Sequence, residues 1–451
     1  RIADDSPYNF THRIQGGTSN VTISGGTIGL ESTTGYELHN ITGGNVFGGG
    51  MGEPDLVTSG SIGKSTEITI SGGKINGNVY GGGENGFVGE VTINVSKGMS
   101  PIKYAGNPTN TYCYTLNIFE VGENGSTTID ISDGTIGLSD STLKTLLSDG
   151  TELSTLKELH GNVFGGGKGA NATVTHSTGV TVSTVTIHGN VYGGGELGPV
   201  GQLTGSAAED TLLLENGSAN VTIYSGTING SVFGGGKGQS KSVSADALIL
   251  GTVQNTNVTI NGGSINRINE AGGNVYGGGE LGLVGALKAL KADPSGIRNF
   301  EFTYGSTSVK ISGNATSGDT KIQGNVFGGG KGEDGLDTHP DAPLTTIILG
   351  SVASNTNVEI SGNVTIGTLS GNSVVEMGTG DVYGGGELGI VGSYRDEETN
   401  RIYSGGSSTV GKVKPQRFAL GGLVSPGQLF LAREAGPELV GTLGSHTAVM
   451  N

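Results

Sequence analysis

The stretch Gly189–Gly198 reads GNVYGGGELG. Three consecutive glycines follow an aromatic residue and precede a glutamate, which suits a phosphate cradle, a calcium coil or a tight corner. The copies decide between them. The pattern G-[NSD]-V-[FY]-G-G-G begins at Gly44, Gly77, Gly161, Gly189, Gly230, Gly273, Gly324 and Gly380. Most copies follow a strand-turn-strand phrase, such as NVTISGGTI (Asn20–Ile28), EITISGGKI (Glu67–Ile75), NVTIYSGTI (Asn220–Ile228) and NVTINGGSI (Asn257–Ile265). Alternating Val or Ile against Thr is the period of a half-buried strand. The intervening SGG, SDG and NGG are turn chemistry, where glycine supplies positive φ. The closest copies, Gly161 and Gly189, lie 28 residues apart. One such unit cannot bury its own apolar face, whereas stacked units can. The expected fold is all-β, a parallel β-solenoid (β-helix) of glycine-rich coils, with loop inserts where the spacing lengthens. Leu143–Leu159 in one insert and VGALKALKADPSG (Val284–Gly296) in another are expected to hold a helical turn or two.

The copies alternate. In order they read VFGGGMG, VYGGGENG, VFGGGKG, VYGGGELG, VFGGGKG, VYGGGELG, VFGGGKG and VYGGGELG, so the unit is a pair of coils made four times. Equivalent residues on neighbouring coils sit about 4.8 Å apart, close enough for like charges to repel. Alternation creates the column Glu84, Lys168, Glu196, Lys237, Glu280, Lys331, Glu387, with opposite signs adjacent and Met51 at its start. The aromatic column Phe47, Tyr80, Phe164, Tyr192, Phe233, Tyr276, Phe327, Tyr383 is expected to stack over backbone that the triglycines leave bare. A slip of one coil would put like charges together, so the alternation sets register. The triglycine reads as a corner where no side chain fits and positive φ is needed. After the Tyr copies a phrase G-x-V-G returns as ENGFVG, ELGPVG, ELGLVG and ELGIVG.

Composition agrees. Glycine supplies 89 of 451 residues and tryptophan is absent, far from ordinary globular usage. No strict G-X-Y period points to collagen. The formal charge of -16 argues against nucleic acid, whose phosphates need a basic surface. The single cysteine, Cys113, excludes an intrachain disulfide framework.

Catalytic and ligand chemistry is weakly represented. A Walker A loop needs G-K-[ST] before a helix, and GGGKGAN and GGGKGQS lack that order. A nonapeptide calcium coil needs an aspartate at a fixed offset, which is missing. The repeated glutamates are better explained by stacking than by an active site, which is normally built once. Unrepeated Asp210, Glu270 and Glu301 are the carboxylates from which a glycan-cleaving site would be built. His160 and His188 each precede GNV on adjacent coils but bring no third ligand. Cys113 has no matched base. No catalytic, cofactor-binding or metal-binding residue is expected, and no cofactor.

The composition changes near Ser408. KPQRFALGGLVSPGQLFLAREAGPELVGTLGSHTAVMN closely resembles the C-terminal region of phage tail tape-measure proteins and related tail components. The matched residues are Gly421, Gly422, Gly427, Gln428, Leu429, Phe430, Ala432, Arg433, Glu434, Ala435, Gly436, Pro437, Glu438, Leu439, Val440, Gly441, Gly444, Thr447, Ala448 and Val449, under a tenth of the chain. The resemblance implies a virion tail position and carries over no catalytic residue. The long helices of tape measures have no counterpart here, so length-setting is not implied. The repeated VTI-x-GG-x-I followed by VYGGG is similar to glycine-rich adhesin-like repeat proteins on gut bacteria. The expected organisation is a lead-in over 1–14, a solenoid over 15–405 and a tail-like segment over 406–451, the chain being expected to continue at both ends. The expected function is a non-enzymatic structural or adhesive protein, extracellular, first as a phage tail component. A bacterial cell-surface adhesin is the alternative and a β-helix carbohydrate-active enzyme the third reading. The partners expected are other tail proteins or a host surface glycan or protein, with a homo-oligomer considered and no membrane span.

Overall fold

In a computed structural model the described residues are 9–29, 43–53, 59–96, 117–139, 142, 161–206, 211–239, 249–268, 271–292, 298–313, 319–333, 349–367, 380–392, 394–396 and 401–403, with short strands between 416 and 450. The chain divides into two units, Arg1–Gly406 and Ser407–Asn451. In the second, Gln416–Arg417 pairs with Phe430–Leu431, and His446–Met450 pairs antiparallel with Gly422–Val424 and Leu439–Leu443.

The first unit is a parallel β-solenoid of eight rungs. The rungs open on strands Thr18–Ile28, Ser65–Ile75, Ser126–Ile136, Ser177–Val182, Ser218–Ile223, Asn255–Ile260, Thr307–Gly313 and Thr356–Gly362, hydrogen-bonded in that order. Register follows the sequence pattern: Val21, Ile68, Ile129, Val180, Val221, Val258, Val309 and Val358 lie side by side. A turn then brings the second apolar phrase into its own ladder, in which Gly73, at φ +95°, takes a conformation that costs an L-residue. The Val-Phe and Val-Tyr dipeptides form a third ladder of eight two-residue strands, from Val46–Phe47 to Val382–Tyr383.

A fourth column closes each rung. Ile62, Val88, Val174, Val200, Val253, Val284, Val352 and Val391 are joined by parallel bridges. Its even members are the valines of G-x-V-G; the odd members were hidden because inserts separate them from their triglycines. The inward Val and Ile side chains are almost wholly buried in the middle rungs, as Ile68, Ile129, Val191, Ile260 and Val309 illustrate. Each such side chain stabilises the stack by about 1.5–3 kcal/mol relative to exposure.

The described parts of several inserts are hairpins rather than loops. After the fourth column, every even rung sends out an antiparallel pair: Val91–Ser96 with Asn117–Val121, Gln202–Ser206 with Thr211–Glu215, Ala286–Ala292 with Arg298–Thr303, and Tyr394–Asp396 with Arg401–Tyr403. Hairpins from rungs 4 and 6 merge into one four-stranded sheet, and Asn9–Ile14, within the expected lead-in, joins that of rung 2. Of the two segments expected to turn helical, Leu143–Leu159 lies outside the described residues, and Val284–Gly296 instead contains the hairpin strand Ala286–Ala292, whose backbone pairs with Arg298–Thr303.

The triglycines overturn one expectation. None of their glycines lies in the left-handed region. Their requirement is close approach. A Cβ on the middle glycine of rungs 1 to 7 would sit 2.7–2.9 Å from the backbone nitrogen of the third glycine of the next rung. A Cβ on the first glycine would collide with the carbonyl oxygen of its counterpart there. Backbone itself fills the space, as in the bonds from Gly81 N–H to Phe164 O (2.9 Å) and Gly82 N–H to Gly166 O (3.1 Å).

Candidate functional site

The recurring polar groups converge on the corner around the triglycine. There the eight rings stack, neighbouring centroids 4.5–5.1 Å apart and planes within 9° of parallel. Those of Tyr80, Phe164, Tyr192, Phe233 and Tyr276 are at most 2% exposed. A buried phenol needs partners, and each tyrosine finds two. Asn78, Asn190 and Asn274 donate through Nδ2 to the hydroxyls of Tyr80, Tyr192 and Tyr276 at 3.2, 3.0 and 2.9 Å. The hydroxyls then donate to glutamates two rungs on: Tyr80 to Glu196 Oε2 (2.6 Å), Tyr192 to Glu280 Oε2 (2.5 Å), and Tyr276 to Glu387 Oε2.

The other carboxylate oxygen takes the lysine of the following rung. Lys168 Nζ lies 3.4 Å from Glu84 Oε1, Lys237 Nζ 2.9 Å from Glu196 Oε1 and Lys331 Nζ 3.1 Å from Glu280 Oε1. On the other side, each lysine faces the residue after the next glutamate: Lys168 bridges Leu197, Lys237 bridges Leu281 and Lys331 bridges Leu388. Asn85, Leu197, Leu281 and Leu388 occupy the left-handed region at φ 56°, 66°, 62° and 60°. That conformation costs about 1–2 kcal/mol in a residue with a Cβ. Its signal is in the sequence: Phe rungs read GGGKG or GGGMG, whereas Tyr rungs insert one more residue, GGGELG or GGGENG. The column is therefore built from Glu-to-next-Lys pairs with an offset between them. Phe at the intervening rung has no hydroxyl, which leaves room for the carboxylate to reach the tyrosine below.

Burial is the main cause of the tyrosines' altered acidity. It pushes the Tyr192 phenol well above its ordinary range, the charge and hydrogen bond of Glu280 adding to it. Tyr276 is raised likewise, by burial first and then by its bond to Glu387.

Two further ladders were not anticipated. The variable [NSD] position is an acceptor column: Asn45, Asn78, Asn162 and Asn190 Oδ1 accept the backbone N–H of Asn78, Asn162, Asn190 and Ser231 at 2.7–2.8 Å. Asn274 and Asn325 do the same for Asn325 and Asp381. The shared property of Asn, Ser and Asp, a short side-chain oxygen, was the available signal. The second ladder consists of threonines. The hydroxyls of Thr66, Thr127, Thr178, Thr256, Thr307 and Thr356 donate to the first triglycine carbonyl of their own rung at 2.5–2.6 Å. Rung 5 has Ala219 there.

The non-repeated candidates are dispersed. His188 Nδ1 contacts Asn229 Nδ2 at 3.2 Å; its proposed neighbour His160, with Cys113, Asp210 and Glu270, lies outside the described residues. Glu301 pairs in register with Lys288 within the merged hairpin sheet. His176, unremarked in the sequence, bonds Thr175 Oγ1 (3.0 Å) and Gln202 Nε2 (3.2 Å). Its acidity is shifted by burial, which lowers the pKa, against the opposing charge of Glu123. Among the described residues no group of three His, Cys, Asp or Glu side chains could hold a metal ion, and no helix is long and apolar enough to cross a membrane. No family model, curated protein or solved structure matches this chain.

Proposed function

We propose that this protein is a non-enzymatic structural component of an extracellular assembly, a bacteriophage tail, in which a rigid solenoid presents hairpins to a host surface. The observation that carries the reading is the commitment of the repeated carboxylates. Glu196 and Glu280 each hold a lysine with one oxygen and a tyrosine with the other, which suits scaffolding better than proton transfer to a substrate. The even-rung hairpins supply a surface that is regular in position and irregular in sequence, the arrangement expected where recognition is grafted onto a constant frame. The tail placement draws on the GQLFLAREAGPELVG run, Gly427–Gly441, in the second unit.

Antibodies raised against the solenoid test the placement by electron microscopy of virions and of cells from the source. Labelling of tails is the expected result. Labelling confined to bacterial surfaces would replace the tail with an adhesin. Release of reducing ends from surface glycans by the purified chain would overturn the non-enzymatic reading.

A further inference from the structure

The two ends of the stack carry complementary halves of the same repeated backbone ladder. At rung 8, Val382 and Tyr383 are 46% and 44% exposed, whereas Val275 and Tyr276, at the same positions in rung 6, are at most 1% exposed. Gly384 and Gly385 have nothing within 4 Å of an added Cβ, although the first and middle glycines of all seven preceding triglycines abut the next rung. These two glycines keep a clearance that nothing among the described residues uses. At the opposite end, Val46–Phe47 has a ladder partner on one side only among the described residues; Met51 there is 78% exposed, while Val46 is buried at 6%.

We propose that rung 8 receives rung 1 of a second copy of this chain, so that copies stack head to tail. Phase is the first argument: the described stack opens on a Phe rung and closes on a Tyr rung, and joining the ends continues the alternation. The backbone is the second. Rung 7 donates from Val326, Gly328 and Gly329 to the carbonyls of Asp381, Tyr383 and Gly385. By the same rule rung 8 offers the N–H groups of Val382, Gly384 and Gly385 to the carbonyls of Asn45, Phe47 and Gly49 of the copy. Asp381 then accepts from the copy's Asn45 N–H, extending the side-chain ladder. The third argument is the bond that spans two rungs. Each tyrosine of rungs 2, 4 and 6 donates to a glutamate two rungs on, whereas the Tyr383 hydroxyl donates within its own rung to Asp381 Oδ2 (3.0 Å), and among the described residues Glu84 has no tyrosine two rungs behind it. Head-to-tail stacking places Tyr383 two rungs before the copy's Glu84. A contact between different patches does not close on itself and so propagates into an open chain. This inference rests on rung geometry and holds for a virion or a cell surface alike.

Sedimentation velocity and negative-stain microscopy of the full chain, over a range of concentrations, test it. Concentration-dependent linear multimers are expected. Gly385→Val fills space that is empty in the single chain, at a φ outside the left-handed region. It should leave the monomer's melting temperature unchanged while weakening association by about tenfold or more, the usual scale of overpacking. Met51→Lys supplies the cation that Glu387 lacks among the described residues and should raise the association constant about two- to fivefold, a gain erased by salt or by Glu387→Gln. A chain that stays monomeric throughout overturns the proposal. So do multimers that Gly385→Val leaves intact, and destabilisation of the monomer by Gly385→Val would show that the chain covers its own end.

Discussion

Alkaline pH should unfold this protein through two particular side chains. Tyr192 and Tyr276 are buried in the ring stack, and each donates its only proton to a glutamate. Ionising either would place a phenolate beside a carboxylate away from water, so both stay protonated in the folded state beyond the ordinary range. In the unfolded chain they ionise near pH ~10. Below that pH both states hold the proton and the groups add no pH dependence. Above it the unfolded chain releases protons that the folded chain retains, and stability falls. Each group then costs about 1 kcal/mol over the first pH unit above 10, approaching about 1.4 kcal/mol per unit thereafter. The two together remove about 3 kcal/mol between pH ~9 and ~11.

Guanidinium unfolding followed by circular dichroism at pH ~9 and ~11 measures the loss, with tyrosinate absorbance recorded on the folded protein. The control is the double variant Tyr192→Phe, Tyr276→Phe, which keeps the ring stack and removes both protons. It should be less stable at neutral pH by about 1.5–3 kcal/mol for each charged hydrogen bond lost, yet fall less steeply with alkali. Equal alkaline slopes in the wild type and the double variant would refute the reasoning, because the sensitivity would then belong to other tyrosines.

Lys237→Glu would place glutamates on rungs 4, 5 and 6 and remove the 2.9 Å pair with Glu196. A half-exposed pair loses about 1 kcal/mol, so the melting temperature should drop at low salt and recover partly with added salt; no change at low salt would mean that the column sets no register. Gly278→Val should prevent folding, since its Cβ would meet Gly330 N at 2.7 Å; a soluble variant with wild-type circular dichroism and melting would show that the rungs can separate locally. Ala219→Thr would give rung 5 the hydroxyl that six other rungs aim at a triglycine carbonyl, and should raise stability by about 1 kcal/mol in chemical denaturation.

What could be read in advance was whatever depends on one rung and its neighbour. Alternation of Val and Thr, a turn glycine such as Gly73, and the phase of Phe against Tyr all have nearest-neighbour meaning, and the parallel ladders follow from them. The chain hid what depends on offset or on distance along the sequence. The spacing sets Glu196 beside Lys168, but the extra residue Leu197 takes the position opposite Lys168, so the glutamate reaches elsewhere. Val253 was invisible as a counterpart of Val284 because an insert separates it from its triglycine. The triglycines were visible as a constraint but assigned to the wrong cause: a run of glycines signals positive φ and steric closeness alike, and only the neighbouring rung distinguishes them.

The span of the tyrosine bond explains why the repeat has two rungs. If every rung carried Tyr and Glu, the hydroxyl on the intervening ring would take the space through which Glu280 reaches Tyr192, and carboxylates would stack without cations. If every rung carried Phe and Lys, the lysines would repel and the corner would lose its buried acceptors. A ring without a hydroxyl beneath each glutamate, and a lysine above it, satisfies both oxygens at once. The residue that permits this is the extra one in the left-handed region, Leu197 or its equivalents, whose conformational cost recurs in each Tyr rung. That cost is offset by a charge-assisted bond worth about 1.5–3 kcal/mol. Selection on such an array therefore acts on pairs of rungs, and removal of one rung from the middle of the stack would strand a tyrosine, a glutamate and a lysine together.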